Sequence, residues 1–178
     1  MKVICIGDSL TNGAIGYTYR GFLDEKYITV NKGIDGDTAE GVLFRLKRCL
    51  ENEEYDDIST YILFVGINDC LFLNENEFLF DNVYERILKL LKEKDKRVVV
   101  IGLPYVEFIY NTNELVVHRN KVIEELSVKY DFYYIDIYSK QEMLKSAGAD
   151  ITIDGVHFSE LSAKSLADEV NKVLAELG

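Results

Sequence analysis

Ser9, Asp154 and His157 are the residues of this 178-residue chain whose types and spacing could carry out acyl transfer. A serine hydroxyl is a poor nucleophile until a neighbouring base takes its proton, and that base is usually an imidazole. The chain has two histidines. His118 lies in "VVHRN", a helical stretch with no acidic residue in a telling position, and reads as a surface or half-buried helix residue. His157 lies in "TIDGVHFSE", three positions after Asp154. In an Asp-x-x-His turn the carboxylate reaches one ring nitrogen while the other faces outward. That fixes the tautomer and stabilises the imidazolium formed on proton transfer. The plain alternatives are an Asp-Gly turn with a histidine near a helix N-terminus, and a helix cap at Ser9.

Acyl transfer also needs donors for the developing oxyanion. Gly36, in "GIDGDT", lacks a Cβ and lets backbone approach a substrate closely. Asn68, in "GIND", offers a side-chain N–H, and the N–H of Ser9 would point the same way from a helix N-terminus. Each has its own alternative as turn glycine, strand-terminating cap or N-cap. Together with the Asp154–His157 pair these make four groups at one edge of a fold, harder to attribute to chance than any one of them.

The elements that must place these groups follow from periodicity. Val3–Ile6, Ile28–Val30, Tyr61–Val65, Val98–Ile101 and Phe132–Ile135 read as strands, most of them short continuous apolar runs. Between them, "AEGVLFRLKRCLEN", "NVYERILKLLKEK", "HRNKVIEELSVKY" and "SAKSLADEVNKVLAEL" carry apolar stripes at helical spacing. The third stripe is Val122, Ile123, Leu126 and Tyr130. Strand–helix alternation predicts one α/β domain over residues 1–178, a parallel sheet with helices on both faces. Ligands of such folds bind beyond the carboxyl ends of the strands, where GDSLT, NKGIDGDT, GIND and GLPYVEF lie.

GDSL at residues 7–10, NKGIDGDT at 31–38, GIND at 66–69 and DGVH at 154–157 resemble the successive signature blocks of the SGNH hydrolase superfamily, the GDSL esterases. They stand in the family's order and span nearly the whole chain. The resemblance implies a three-layer α/β/α sandwich with a five-stranded parallel sheet, flavodoxin-like in kind. It implies Ser9 as nucleophile, His157 as general base and then acid, and Asp154 as the partner of His157. The Ser9 N–H, the Gly36 N–H and the Asn68 side chain would form the oxyanion hole, with Gly33 left as a turn residue. No metal or cofactor is implied. The serine lacks the glycine two positions on that marks the α/β-hydrolase elbow, and Asp154 and His157 share one loop.

The expected activity is a serine esterase acting on small acyl esters, with sugars, lysophospholipids and thioesters as the candidate substrate classes. A rival is a non-catalytic flavodoxin-like module using GDSLTNG as an anion loop; it leaves Asp154 and His157 idle, and no GxGxxG or Walker pattern accompanies it. A net charge of −11 argues against nucleic acid, whose phosphates need a basic footprint, and against stable docking to anionic membranes. No signal peptide or membrane span is evident, and three widely spaced cysteines, Cys5, Cys49 and Cys70, fit a reducing compartment, so a cytoplasmic location is expected.

Three smaller expectations remain. Asp35, Asp37 and Asp69 invite a metal reading, but nothing at ligand spacing joins them, and loop or capping roles are expected. Cys70 follows GIND and could be a reactive thiol near the site. "CLFLNENEFLF" and "LPYVEFIY" are apolar for loops, so Leu71, Phe72, Tyr105, Phe108 and Tyr110 could line a substrate pocket; packing under helices or a dimer contact is the alternative. No insertion is long enough for a large lid, which favours a shallow, open site for a short acyl chain.

Overall fold

The five apolar runs form one sheet of β1 (Lys2–Gly7), β2 (Ile28–Gly33), β3 (Thr60–Phe64), β4 (Arg97–Ile101) and β5 (Tyr133–Ile135). The structure is a computed structural model that describes residues 1–72, 77–107 and 112–178. All four pairings are parallel, in the order β2-β1-β3-β4-β5. The central strands are apolar throughout because both faces are covered: Val3–Ile6, Tyr61–Phe64 and Val98–Ile101 are all buried. β2 and β5 are the edges, and their side chains are correspondingly mixed in exposure.

Register decides where the site falls. Gly7 sits opposite Gly33 on one side and Phe64 on the other, so β1, β2 and β3 end level. The chain leaves β1 towards β2 and returns past it to β3, which opens a crevice at their carboxyl ends, the switch point of a doubly wound sheet. The segments after these three strands therefore meet there.

The helices are α1 (Ser9–Asn12), α2 (Ala39–Leu50), α3 (Ile67–Phe72), α4 (Glu77–Glu93), α5 (Thr112–Lys129), α6 (Ile137–Ser146) and α7 (Glu160–Leu177). α2 packs on α4 and α4 on α5, while α6 and α7 pack on each other, which makes the two outer layers. Thr38 caps α2 by accepting from the Gly41 N–H, and Ser159 caps α7 by accepting from Ser162 N–H. Among the described residues, no helix is long and apolar enough to cross a membrane.

Three local expectations are corrected. "CLFLNENEFLF" is not simply a loop, since α3 and α4 take its two ends. Gly33 is not a turn residue but the last residue of β2, and a Cβ there would lie 2.3 Å from the Asn12 nitrogen of α1. The buried face of α5 is Val116, Arg119, Asn120, Ile123 and Ser127, rotated from the purely apolar stripe, which is only partly buried apart from Ile123.

Candidate active site

Ser9 is the first residue of α1, placed by Asp8, whose carboxylate accepts from the Leu10 N–H at 3.0 Å and caps the helix. The helix is stopped one turn later by Gly13 in the left-handed conformation. His157 and Asp154 lie in the loop before α7. Oδ1 of Asp154 accepts the backbone N–H of His157 at 2.8 Å and of Val156 at 3.0 Å, and Oδ2 lies 2.6 Å from His157 Nδ1. The other ring nitrogen, Nε2, is 3.0 Å from Ser9 Oγ. Phe158, fully buried against Phe64 at the end of β3, anchors the loop beside the histidine. Such a line of contacts can carry a proton from the serine hydroxyl to an imidazole whose tautomer the carboxylate sets.

Gly36, Asn68 and the Ser9 N–H border the same space. As the first residue of α1, Ser9 has an N–H with no acceptor inside the helix. Gly36 has φ +75°, a left-handed conformation that favours glycine, and a Cβ there would meet no atom within 4 Å. Its surroundings are therefore open on the side where a ligand would approach. The Asn68 side chain donates through Nδ2 to Asp37 O at 2.8 Å, which seats it against the Gly36 loop.

A pocket of about 300 Å³ joins these groups, lined by Ser9, Gly36, Asn68, Asp154 and His157 together with Ile15, Asp35, Leu71, Phe72 and Val156. Leu71 and Phe72 are thus at the site, Phe72 with 73% of its surface exposed. Tyr105 is elsewhere, its ring 5.5 Å from that of Tyr138 and its N–H on Gln141. Phe108 and Tyr110 lie outside the described residues. Ile15 and Val156 escaped the sequence reading; Ile15 sits among glycines in "NGAIGY", directly after the GDSL block, and that position was the available signal.

The remaining candidates have other partners. Asp35 accepts from Asn12 Nδ2 at 2.8 Å, Asp37 pairs with Arg45, and Asp69 accepts the Ala39 N–H at 3.0 Å, tying α3 to the start of α2. His118 is exposed on α5. Cys70 is buried against Arg119, whose Nη1 lies 3.2 Å from its sulfur. Burial pushes the Cys70 thiol up to about 11, so it is held as the unreactive thiol.

Electrostatically the site divides the carboxylates. Burial pushes Asp8 up to about 7 and Asp69 up to about 6, despite the N–H donors each accepts. At Asp154 the desolvation also pushes upward, but the donors from His157 and Val156 outweigh it and hold the carboxyl below its ordinary value. Asp154 is therefore ionised beside the imidazole at neutral pH.

Sheet order and the two helical layers define a three-layer α/β/α fold with a five-stranded parallel sheet. The chain belongs to the GDSL-like Lipase/Acylhydrolase family, whose profile matches residues 5–163, and it is accordingly a carboxylic ester hydrolase. That membership sets aside the anion-binding module, and no lysine or arginine stands among the described residues lining the pocket. A lipolytic protein of the G-D-S-L family from Veillonella parvula is similar over 98% of each chain at 20% identity, with a TM-score of 0.82. A lipase/acylhydrolase from Enterococcus faecalis is similar over 97% of this chain and 94% of its own at 21% identity, TM-score 0.73. An acetylxylan esterase from Geobacillus stearothermophilus is similar over 96% of this chain and 92% of its own at 20% identity, TM-score 0.73. Catalytic mutants of that esterase replace an aspartate, a histidine three positions further on, or a serine by alanine. No curated protein sequence is a significant match.

Proposed function

We propose that the protein is a serine esterase that removes acetyl or other short acyl groups from small-molecule esters through an acyl-enzyme on Ser9. The observation that carries this reading is the pair of contacts made by His157, 3.0 Å to Ser9 Oγ and 2.6 Å to Asp154. Ser9 Oγ attacks the ester carbonyl carbon as His157 Nε2 takes its proton, and the carbonyl oxygen becomes an oxyanion facing Ser9 N–H, Gly36 N–H and Asn68 Nδ2. The tetrahedral adduct collapses, the ester C–O bond breaks, and His157 returns the proton to the leaving alkoxide. Water then attacks the acyl-enzyme with His157 as base, releasing the acid and restoring the serine hydroxyl.

The pocket size and its apolar wall of Ile15, Leu71, Phe72 and Val156 favour a short acyl chain over a long one. The solved acetylxylan esterase, with catalytic residues of the same three types, supports an acetyl ester as the first substrate to try. On this reading the 178 residues act as one catalytic domain, and the three free, buried cysteines suit the cytoplasm.

Steady-state hydrolysis of p-nitrophenyl esters from acetate to octanoate, with acetylated xylo-oligosaccharides alongside, tests the proposal. Acetate and butyrate esters should turn over fastest, and Ser9→Ala or His157→Ala should lose at least ~10³ in kcat. Parental turnover by Ser9→Ala, or no turnover of any short ester by the parent, would overturn it.

A further inference from the structure

An oxyanion hole of this kind takes its donors from three separate segments, and small displacements between them are expensive in rate. One side chain ties those segments together without facing the pocket. Arg45, on α2, donates through Nη1 to Lys32 O of β2 at 2.8 Å and through Nη2 to Gly7 O of β1 at 3.1 Å. Its Nε donates to Asp37 Oδ2 at 2.8 Å, and Nη2 contacts the same oxygen. Gly7 stands two residues before Ser9, Lys32 four before Gly36, and Asp37 directly after Gly36. The backbone oxygen of Asp37 is the atom on which the Asn68 amide rests.

Each oxyanion donor is thus a few bonds from an atom held by the Arg45–Asp37 pair. The pair is mostly shielded, with side-chain exposures of 22% and 13%. A lysine ammonium carries the same charge but cannot span three acceptors in one planar fork. Nor is Arg45 what docks α2, since Val42, Leu43, Leu46 and Cys49 bury the helix against the core.

We propose that Arg45, through Asp37 and the ends of β1 and β2, is the positioning residue that keeps Ser9 N–H, Gly36 N–H and Asn68 Nδ2 in register. It touches no reacting atom, and its role rests on the oxyanion hole proposed above. The sequence alone does not single it out, because two of its three partners are backbone carbonyls, 13 and 38 positions away.

The test is kinetics on a short ester with Arg45→Lys and Arg45→Met, each alone and combined with Asn68→Ala, normalised to folded protein. On the parental background kcat should fall about 10- to 100-fold, short of the ~10²–10³ for deleting a donor outright, with KM changed less than about threefold. Affinity for a trifluoromethyl ketone, whose adduct carries the oxyanion, should fall by the same factor. On the Asn68→Ala background the same substitutions should cost less than about threefold, because the hole is already broken. Arg45→Lys should recover little. An unchanged kcat in Arg45→Lys, or equal losses on both backgrounds, would overturn the role; Arg45→Lys decides the question alone should Arg45→Met not fold. An inactive Ser9→Ala beside a fully active Arg45→Met removes only the positioning role, whereas an active Ser9→Ala removes the underlying mechanism as well.

Discussion

Nε2 of His157 lies 3.0 Å from Ser9 Oγ although 148 positions separate the two residues. The sheet accounts for the meeting. β1 delivers Ser9 at the switch point, and the loop before α7 is folded back over it by Phe158 on Phe64 and by the Tyr17 N–H on Phe158 O at 3.1 Å. Asp154 then orients the ring from within the same loop, so one local turn and one long-range packing contact set both hydrogen bonds of the imidazole.

Asn68→Ala should lower kcat by ~10²–10³ while changing stability by only about 1 kcal/mol. Among the described residues the amide donates to the Asp37 carbonyl, in a part-buried position that water can serve once the side chain is cut back. Kinetics and urea denaturation of the same preparation check both halves. An intact rate would remove Asn68 from the oxyanion hole.

Two glycines of the second block should respond in opposite ways. Gly33→Ala puts a Cβ 2.3 Å from the Asn12 nitrogen and 2.7 Å from its Cα, so α1 must move and Ser9 with it. Loss of more than about 3 kcal/mol is expected, together with activity. Gly36→Ala meets open space and bears only the left-handed φ of +75°, about 1–2 kcal/mol, so it should fold and show its damage in kcat. Thermal melts and kcat for both variants decide the assignment. A folded, fully active Gly33→Ala would contradict it.

The strands and the first three blocks are legible because each of those blocks follows its strand, and strands buried on both faces are unbroken apolar runs; DGVH lies instead in the loop between α6 and α7. What escaped the sequence was set by partners far along the chain. On α5 the buried face includes Asn120, which clasps the N–H and carbonyl of Leu103, and Arg119, which lies over the Phe80 ring at 4.4 Å. An apolar count assigns such residues to solvent. α6 buries only Ile137 and Gln141 and so shows no stripe to find. Tyr105 follows a sheet strand as site residues do, yet its backbone N–H is taken by Gln141 and its ring packs by Tyr138.

Stability should fall as pH rises through the range where Asp8 and Asp69 ionise. Burial raises the folded-state values of these carboxyls, from 3.8 to about 7 and about 6, so the folded protein holds those protons more tightly than the unfolded chain. Their favourable contribution is complete below about pH 4 and lost by about pH 7. Asp154 has the opposite sign: its value is lowered, and its contribution disappears only as pH drops below about 4. Asp8→Asn keeps an oxygen for the Leu10 N–H and should raise stability at pH 8 by roughly 1–3 kcal/mol, with little gain at pH 4. Urea titrations at both values measure this, and an equal effect at each would contradict it.

Glu107 should matter through the loop that holds Asp154. Its carboxylate takes Thr152 Oγ1 and Lys145 Nζ, and its N–H donates to Gly155 O at 2.9 Å. Glu107→Ala keeps the main-chain bond to Gly155 O but frees the Thr152 side of the turn before Asp154, and should cut kcat about 3- to 10-fold with KM little changed. A KM effect alone would place Glu107 with the substrate instead.

An acyl-enzyme requires an activated serine at position 9, and the most direct measurement is intact-protein mass spectrometry after exposure to a fluorophosphonate, with Ser9→Ala in parallel. A single adduct that maps to Ser9 and is absent from the variant is the predicted result. An unmodified parent, or an adduct that persists in Ser9→Ala, would contradict it.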